Sequence, residues 1–134
     1  MKSMLPFTLA LTCTVTACAT KRHAAANDFG IPTCPPAAAG DLLSTDALEC
    51  WFIAPHGRWR VLSHDSHYTE LMVQVEAADT HDAELIAQRF VAAERRSFSE
   101  ILLYVRRESD RTRVRRVRWT AEAGFQTLDF TAPR

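Results

Sequence analysis

Alternating apolar and polar residues predict two strands of a sheet. Between Tyr68 and Glu76, the apolar residues Leu71, Val73 and Val75 occupy every second position. The stretch from Ile101 to Arg106 shows the same alternation. Side chains of a strand point in turn to its two faces, so each stretch is expected to bury one face against a core.

Apolar residues recur at helical spacing between these two strands. They are Ala83, Ile86, Ala87, Phe90 and Ala93. This spacing places them on one face of a helix, for which Asp79 or Thr80 can serve as the N-cap. Arg95 and Arg96 fall at the other end, where the helix dipole favours cations. The pattern therefore predicts an amphipathic helix that packs on the sheet.

Two further strands are predicted after a turn at residues 108–110. They span Val114 to Thr120 and Phe125 to Phe130. Val114 and Val117 are three positions apart rather than two or four, so a β-bulge between them would reconcile the pattern with one buried face.

Weaker patterns precede the first of these strands. A short helix is predicted from Leu42 or Asp46 to about Phe52, with Glu49 in the capping-box position relative to Asp46. Residues 59–62 form a weaker strand candidate.

The element order is therefore β-α-β-β-β, with or without one preceding strand. This order predicts an α+β fold with a small mixed or antiparallel sheet of about four to five strands. One amphipathic helix is expected to cover one face of that sheet.

The N-terminal residues have the composition of an export signal. A single basic residue, Lys2, precedes an apolar run with no further charge before Lys21. The stretch from Ser3 to Thr20 contains Pro6 and five threonines. A membrane-spanning helix needs about 20 predominantly apolar residues, so this run is too short and too polar to be one.

The end of this run resembles the lipobox of bacterial lipoproteins, in the residues Val15-Thr16-Ala17-Cys18. The resemblance implies cleavage before Cys18, which would then carry a thioether-linked diacylglycerol and an amide-linked acyl chain such as palmitate. Ala19, rather than Asp, follows the cysteine, which in this family implies sorting to the outer membrane. Several acyl chains would make release from the membrane rare.

The same residues also allow a second interpretation of how the signal is cleaved. Ala17-Cys18-Ala19 also fits the pattern cleaved by ordinary signal peptidase, which would release a soluble periplasmic or secreted protein.

These patterns divide the 134 residues into three parts. Residues 1–17 are predicted to be a cleaved signal peptide and residues 18–40 a lipid-anchored flexible tether, which is rich in alanine and proline. Residues 41–134 are predicted to form a single α+β domain, a length that suffices for one core.

Cys34 and Cys50 remain after the signal and the lipidated cysteine are set aside. An even pair in an oxidising compartment favours a disulfide. The alternative is two free thiols, with Cys50 buried as a small apolar side chain.

Charge is balanced overall but unevenly distributed. Residues 61–88 contain six acids and no Lys or Arg, whereas residues 89–118 contain ten arginines and four acids. Four of these arginines are candidates for a face that binds anions or a partner: Arg113, Arg115, Arg116 and Arg118. The alternative is that acidic and basic strands pair across the sheet. Zero net charge and the absence of a reader motif argue against nucleic acid binding.

His64-Asp65-Ser66-His67 is the only cluster with the composition of a metal site. His64 and His67 could hold a divalent ion if His56 or His81 supplied a third ligand. The alternative is a polar turn between two strands.

No motif for nucleophilic catalysis, phosphate binding or a zinc protease is present. The sequence therefore predicts no enzyme and no cofactor. It favours a membrane-anchored envelope lipoprotein that acts as an interaction or accessory module with an envelope protein partner. The alternative is a periplasmic module that binds a ligand or metal through the His64/His67 cluster or the arginine-rich face.

Overall fold

A computed structural model describes residues 33–131 of the chain, with side chains up to Asp129. The predicted signal peptide, the lipobox-like residues Val15-Thr16-Ala17-Cys18 and most of the predicted tether lie outside these residues. Within the described part, no helix is long and apolar enough to cross a membrane.

Three helices, one 3-10 turn and six strands follow one another in this range. They are α1 (Pro36–Gly40), α2 (Thr45–Leu48), β1 (Phe52–Ala54), β2 (Gly57–His67), β3 (Glu70–Ala77), the 3-10 turn (Thr80–Asp82), α3 (Ala83–Glu94), β4 (Glu100–Arg107), β5 (Arg113–Thr120) and β6 (Gly124–Thr131).

The strands form one mixed sheet in sequence order. β3 and β4 are parallel, and every other neighbouring pair is antiparallel. The predicted α+β class with a mixed sheet and a covering helix is confirmed. The predicted count of four to five strands is wrong, because both β1 and β2 precede β3, in a region where only residues 59–62 have a weak strand pattern.

α3 connects the two parallel strands, as such a pair requires a crossover. Ile86, Ala87 and Phe90 are buried on its inner face, as predicted. Ala93 is exposed, and Val91 is buried instead. The helix ends at Glu94.

Trp59 lies at the centre of the core. Its ring stacks on Phe52 with centroids 4.4 Å apart and meets Phe90 at 6.2 Å. Leu71, Val73, Val75, Ile101, Leu103, Val105 and Val117 complete the sheet side of this core. Burial of such side chains contributes roughly 1.5–3 kcal/mol each, which makes this layer the main source of stability.

β2 is longer than predicted and contains the bulge. Its pairing with β3 shifts register between Val61 and Ser63, whereas β5 pairs with β4 without a shift. The bulge predicted between Val114 and Val117 is therefore wrong. The two valines lie on opposite faces of β5, and only Val117 reaches the core.

The polar turn that the sequence offered at His64–His67, as the alternative to a metal site, is also wrong. These residues continue β2 and pair with β3 as far as His67 opposite Glu70. The connection is made by Tyr68 and Thr69 instead, and Tyr68 has a positive φ of 53°.

The predicted disulfide between Cys34 and Cys50 is confirmed, with Cα atoms 5.1 Å apart. Beside it, the Cys34 amide donates to the Trp51 carbonyl at 3.0 Å. This link brings the chain before α1 to the edge of the sheet.

The short helices α1 and α2 pack at this edge. α2 begins after Ser44, whose side chain accepts from the Ala47 amide, so the predicted N-cap Asp46 is wrong. Ser44 precedes the helix, where a cap can reach the free amides, whereas Asp46 already lies in the first turn. Ala38 of α1 is buried, although α1 falls in the stretch predicted as tether.

Candidate functional site

The strand register defines the two faces of the sheet. One face carries the core and the three helices. The other, which we call the open face, is covered by no element of residues 33–131. Alternation along the paired strands places these side chains on it: Arg58, Arg60, Asp65, His67, Glu70, Met72, Gln74, Glu76, Glu100, Leu102, Tyr104, Arg106, Val114, Arg116, Arg118 and Leu128.

An apolar stripe crosses the centre of the open face. Met72 lies opposite Leu102 in the parallel pairing, and Tyr104 is two residues further along β4 on the same face. Met72 is 37% exposed, and Leu128 on β6 is also exposed. The stripe is therefore continuous across β3 and β4.

Glu76 is buried on the open face beneath arginine side chains, with 2% of its surface exposed. Its Oε2 accepts hydrogen bonds from Arg60 Nη2 at 2.8 Å and Nε at 3.2 Å. Arg106 Nη2 and Arg111 Nε lie 3.5 and 3.8 Å from its Oε1. A buried carboxylate requires such partners, yet here three guanidinium groups surround one negative charge.

Two of the arginines on this face are also held by an aromatic ring. The guanidinium carbons of Arg58 and Arg60 lie 4.2 and 4.7 Å from the centre of the Trp51 ring. Both distances are within the range of a cation–π attraction. Arg58 in addition donates to Glu108 at 2.7 Å.

A groove of about 360 Å³ lies between the apolar stripe and the arginines. It is lined by Met72, Gln74, Tyr104, Arg106, Arg111 and Val114. The lining combines apolar surface with cations, which suits a ligand or partner segment that is apolar and acidic.

The four arginines predicted as one face lie on two. Arg116 and Arg118 point to the open face, whereas Arg113 and Arg115 point to the helix side. Arg118 donates to Glu100 at 2.6 Å. Among residues 33–131, Arg116 has no ion pair within 4 Å. Pairing of acids and arginines across neighbouring strands, the alternative considered from the sequence, thus accounts for Arg118. Arg116 lies beside the apolar stripe, opposite Tyr104.

Arg115 is paired on the helix side. It donates to both carboxylate oxygens of Asp129, at 2.6 and 2.9 Å. This hydrogen-bonded pair raises the pKa of Arg115 and lowers that of Asp129. Arg113 has a looser contact, 3.4 Å to Asp110.

A second concavity, of about 430 Å³, lies where the parallel strands β3 and β4 end. Its lining comprises Asp79, Thr80, His81, Arg107, Arg113, Val114, Arg115 and Asp129. Ligands in sheets with parallel strands commonly bind outside the carboxyl ends of those strands. We call this concavity the strand-end cleft.

The histidines are distributed differently from the prediction. His64 lies opposite Val73 and therefore points to the helix side, whereas His67 lies opposite Glu70 and points to the open face. The two therefore cannot bind one ion together. His56 and His81, considered only as third ligands, lie together with ring centroids 6.0 Å apart.

Each of these two histidines is held by an aspartate. Asp82 accepts from the His56 amide at 3.0 Å and contacts its Nδ1 at 2.9 Å. The hydrogen bond and the charge of Asp82 raise the pKa of His56. Asp79 contacts His81 Nδ1 at 2.6 Å, and hydrogen bonds from the His81 amide and ring lower the pKa of Asp79.

The burial of Glu76 and the joining of His56 to His81 were not visible in the sequence. Both depend on the β2–β3 register and on the position of the Pro55–Gly57 turn beside the start of α3, which are long-range features. Residues 33–131 contain no group of three or more His, Cys, Asp or Glu placed to hold a metal.

No known protein family, curated protein or solved structure matches this chain. The functional argument therefore rests on the arrangement of its own residues.

Proposed function

We propose that this chain is a lipid-anchored protein of the bacterial cell envelope whose folded domain acts by contact with an envelope protein partner. The anchor is Cys18, placed at the outer membrane and facing the periplasm, and the contact surface is the open face. The domain serves as an accessory or interaction module rather than as an enzyme.

The observation that carries this proposal is the continuous apolar stripe of Met72, Leu102 and Tyr104. Exposed apolar surface that is contiguous and bordered by polar groups is typical of protein interaction sites. Tyr and Arg are also enriched at the centres of such interfaces, and Tyr104 lies opposite Arg116 in the sheet.

The charge on the groove side of the stripe is positive and favours an acidic partner there, whereas Asp65, opposite Met72, lies on the other side. Glu76 is the only carboxylate within 4 Å of Arg106 and Arg111 in the described part of the chain. Positive charge therefore remains at one side of the groove. A partner that presents acidic side chains around an apolar centre would complement it, which directs the choice of partner and the association rate.

Two substitutions on the open face test this proposal. Met72→Glu places a negative charge in the apolar stripe, and Arg116→Glu places one beside it. Either charge should repel an acidic partner. Leu85→Glu is the matched control, because Leu85 is 39% exposed on α3 and Met72 is 37% exposed. Affinity capture from envelopes should recover a partner with the wild type and with Leu85→Glu, at least tenfold more than with either open-face variant. Equal recovery with all variants would contradict the proposal.

The anchor is tested separately. Cys18→Ala should move the chain from the membrane fraction to the soluble fraction of the envelope, since acyl chains provide the membrane affinity. Unchanged membrane retention would show that Cys18 carries no lipid. Release of the wild type into the soluble fraction would instead support ordinary signal-peptidase cleavage.

A second candidate function, binding of a small anion, is favoured by the strand-end cleft. Arg107 and Arg113 have only contacts of 3.4 Å to their carboxylate partners, so both can turn toward a ligand. Inorganic phosphate should raise the melting temperature above that in potassium chloride of equal ionic strength, and Arg113→Ala should remove this difference. Equal melting temperatures in the two salts would contradict this function.

A further inference from the structure

His56 and His81 form a pair of imidazoles that are oriented by carboxylates. His56 is in the turn between β1 and β2, and His81 is in the 3-10 turn before α3. Asp82 holds the first ring and Asp79 holds the second, in both cases through Nδ1. Two residues far apart in sequence are thus positioned side by side by separate acids.

These contacts determine the tautomer of each ring. An ionised carboxylate only accepts hydrogen bonds, so in each pair the proton must lie on Nδ1. A neutral imidazole with its proton on Nδ1 has its lone pair on Nε2. Metal-binding histidines commonly have this arrangement, in which the second nitrogen donates to a carboxylate that fixes the ring and increases its basicity.

The spacing of the rings is compatible with one shared ion. Metal–nitrogen bonds of about 2.0–2.1 Å place the centroids of two imidazoles on one ion roughly 5 to 6 Å apart. The centroids of His56 and His81 are 6.0 Å apart, with a tilt of 45° between the planes. The side chains are 59% and 70% exposed, so both can adjust and both are open to solvent.

We propose that His56 and His81 form a site for a divalent transition metal ion such as Zn²⁺ or Cu²⁺, bound through the two Nε2 atoms. Asp82 and Asp79 act as positioning residues, and water completes the coordination.

The number of ligands defines what kind of site this is. Structural zinc sites have four protein ligands and catalytic sites usually three, whereas this pair supplies two. We therefore expect the ion to bind reversibly and to keep coordination positions that are open to solvent. An ion held here links the β1–β2 turn to the start of α3, which stabilises the folded state by mass action.

The carboxylate of Asp82 also favours a cation. The acids beside His81 are offset by arginines, because Asp79 pairs with Arg107 and Asp129 pairs with Arg115, and Arg113 lines the same cleft. Asp82, in contrast, is bonded only to His56 among the described residues, and its side chain is 5% exposed. Its negative charge therefore remains beside His56 when that ring is neutral.

Calorimetric titration of the untagged full chain with ZnCl₂ at pH 7.5 tests the site. One ion should bind per chain, and His56→Ala and His81→Ala should each weaken binding at least tenfold. His64→Ala is the matched control, because His64 is also exposed but has no neighbouring histidine in the described structure, and it should bind as the wild type does. Absence of saturable binding, or equal binding by all variants, would overturn the proposal.

A spectroscopic measurement separates a shared ion from adventitious binding at single histidines. Bound Cu²⁺ should show hyperfine splitting from two imidazole nitrogens in the wild type and from one in His81→Ala. Asp82→Asn should weaken Zn²⁺ binding by roughly 10- to 100-fold while leaving both rings in place. Asp79→Asn should do the same and provides the test if Asp82→Asn fails to fold. Splitting from a single nitrogen in the wild type would overturn the shared site.

Discussion

The Arg60 guanidinium donates two hydrogen bonds to one oxygen of Glu76, at 2.8 and 3.2 Å, and so buries a carboxylate on a face that no helix covers. The other oxygen, Oε1, has no hydrogen-bond partner in the described structure. Glu76 is therefore surrounded by charge but only half satisfied by hydrogen bonds. This imbalance makes the open face sensitive to any change at this position.

Glu76→Gln should destabilise the domain. The substitution removes the charge that holds Arg60, Arg106 and Arg111 together, and it leaves them to repel one another. Breaking a fully buried ion pair costs about 3–5 kcal/mol, and the partial exposure of the arginines reduces the expected loss to about 2 kcal/mol. Urea unfolding measures this value.

Glu70→Gln is the matched control for Glu76→Gln, because Glu70 lies on the same strand and face but is more exposed. It should change the free energy of unfolding by less than about 0.5 kcal/mol. Equal effects of the two substitutions would show that the arginine cluster does not depend on Glu76.

Reduction of the Cys34–Cys50 disulfide should lower the free energy of unfolding by about 3 kcal/mol. The bond closes a segment with a sequence separation of 16, and the loss of this constraint gives the unfolded chain more freedom. Thermal unfolding with and without dithiothreitol measures the effect in the wild type.

The double variant Cys34→Ser/Cys50→Ser is the control for the reductant. It should match the reduced wild type and show no response to dithiothreitol. A wild type whose melting temperature is unchanged by complete reduction would contradict a stabilising role of this bond.

The central strands and α3 were predictable because each has a strong local pattern. Leu71, Val73 and Val75 alternate over a whole strand, and the helical spacing of Ile86, Ala87 and Phe90 belongs to one element. β2 was predicted only in part because Val61 is its last core residue, and the strand then continues through exposed positions with polar side chains. Pairing with β3 holds that stretch extended, and such pairing leaves no pattern in the local sequence.

The candidate site was less accessible to sequence analysis than the fold. A tyrosine or arginine on an alternating strand can be assigned to a face, so the stripe of Met72, Leu102 and Tyr104 could be anticipated once two strands were placed. The meeting of His56 with His81 could not, because it depends on where a turn lies relative to the start of α3. Interactions that join distant segments can be predicted only when the order of the strands in the sheet is known.

Gly57→Ala should destabilise the β1–β2 connection. Gly57 has a φ of 141°, which side chains rarely adopt, and an added Cβ would lie 2.6 Å from the Ala78 Cβ. Both strain and the clash oppose the substitution, so we expect a loss of at least about 2 kcal/mol. Chemical denaturation measures it.

Gly40→Ala is the matched control for Gly57→Ala. Nothing lies within 4 Å of a Cβ added at Gly40, which is in α1 with an ordinary φ. The substitution should leave stability unchanged or raise it slightly, because alanine reduces the freedom of the unfolded chain. A Gly57→Ala domain as stable as Gly40→Ala would show that the turn relaxes without strain.

The pairing of Asp129 with Arg115 should make stability depend on pH in the acidic range. The hydrogen bond from Arg115 lowers the pKa of Asp129 below its ordinary value of about 3.9. A carboxyl whose pKa is depressed in the folded state stabilises it above the ordinary value, and this contribution is lost as pH falls through the folded pKa. The wild type should therefore be more stable than Asp129→Asn at pH 6, and the difference should decrease below about pH 4 and vanish at lower pH. Thermal unfolding of both proteins from pH 2.5 to 7 measures this, with Glu122→Gln as an exposed control that shows no such difference. A gap between wild type and Asp129→Asn that is constant with pH would mean that the carboxylate charge of Asp129 is not what stabilises the β5–β6 pair.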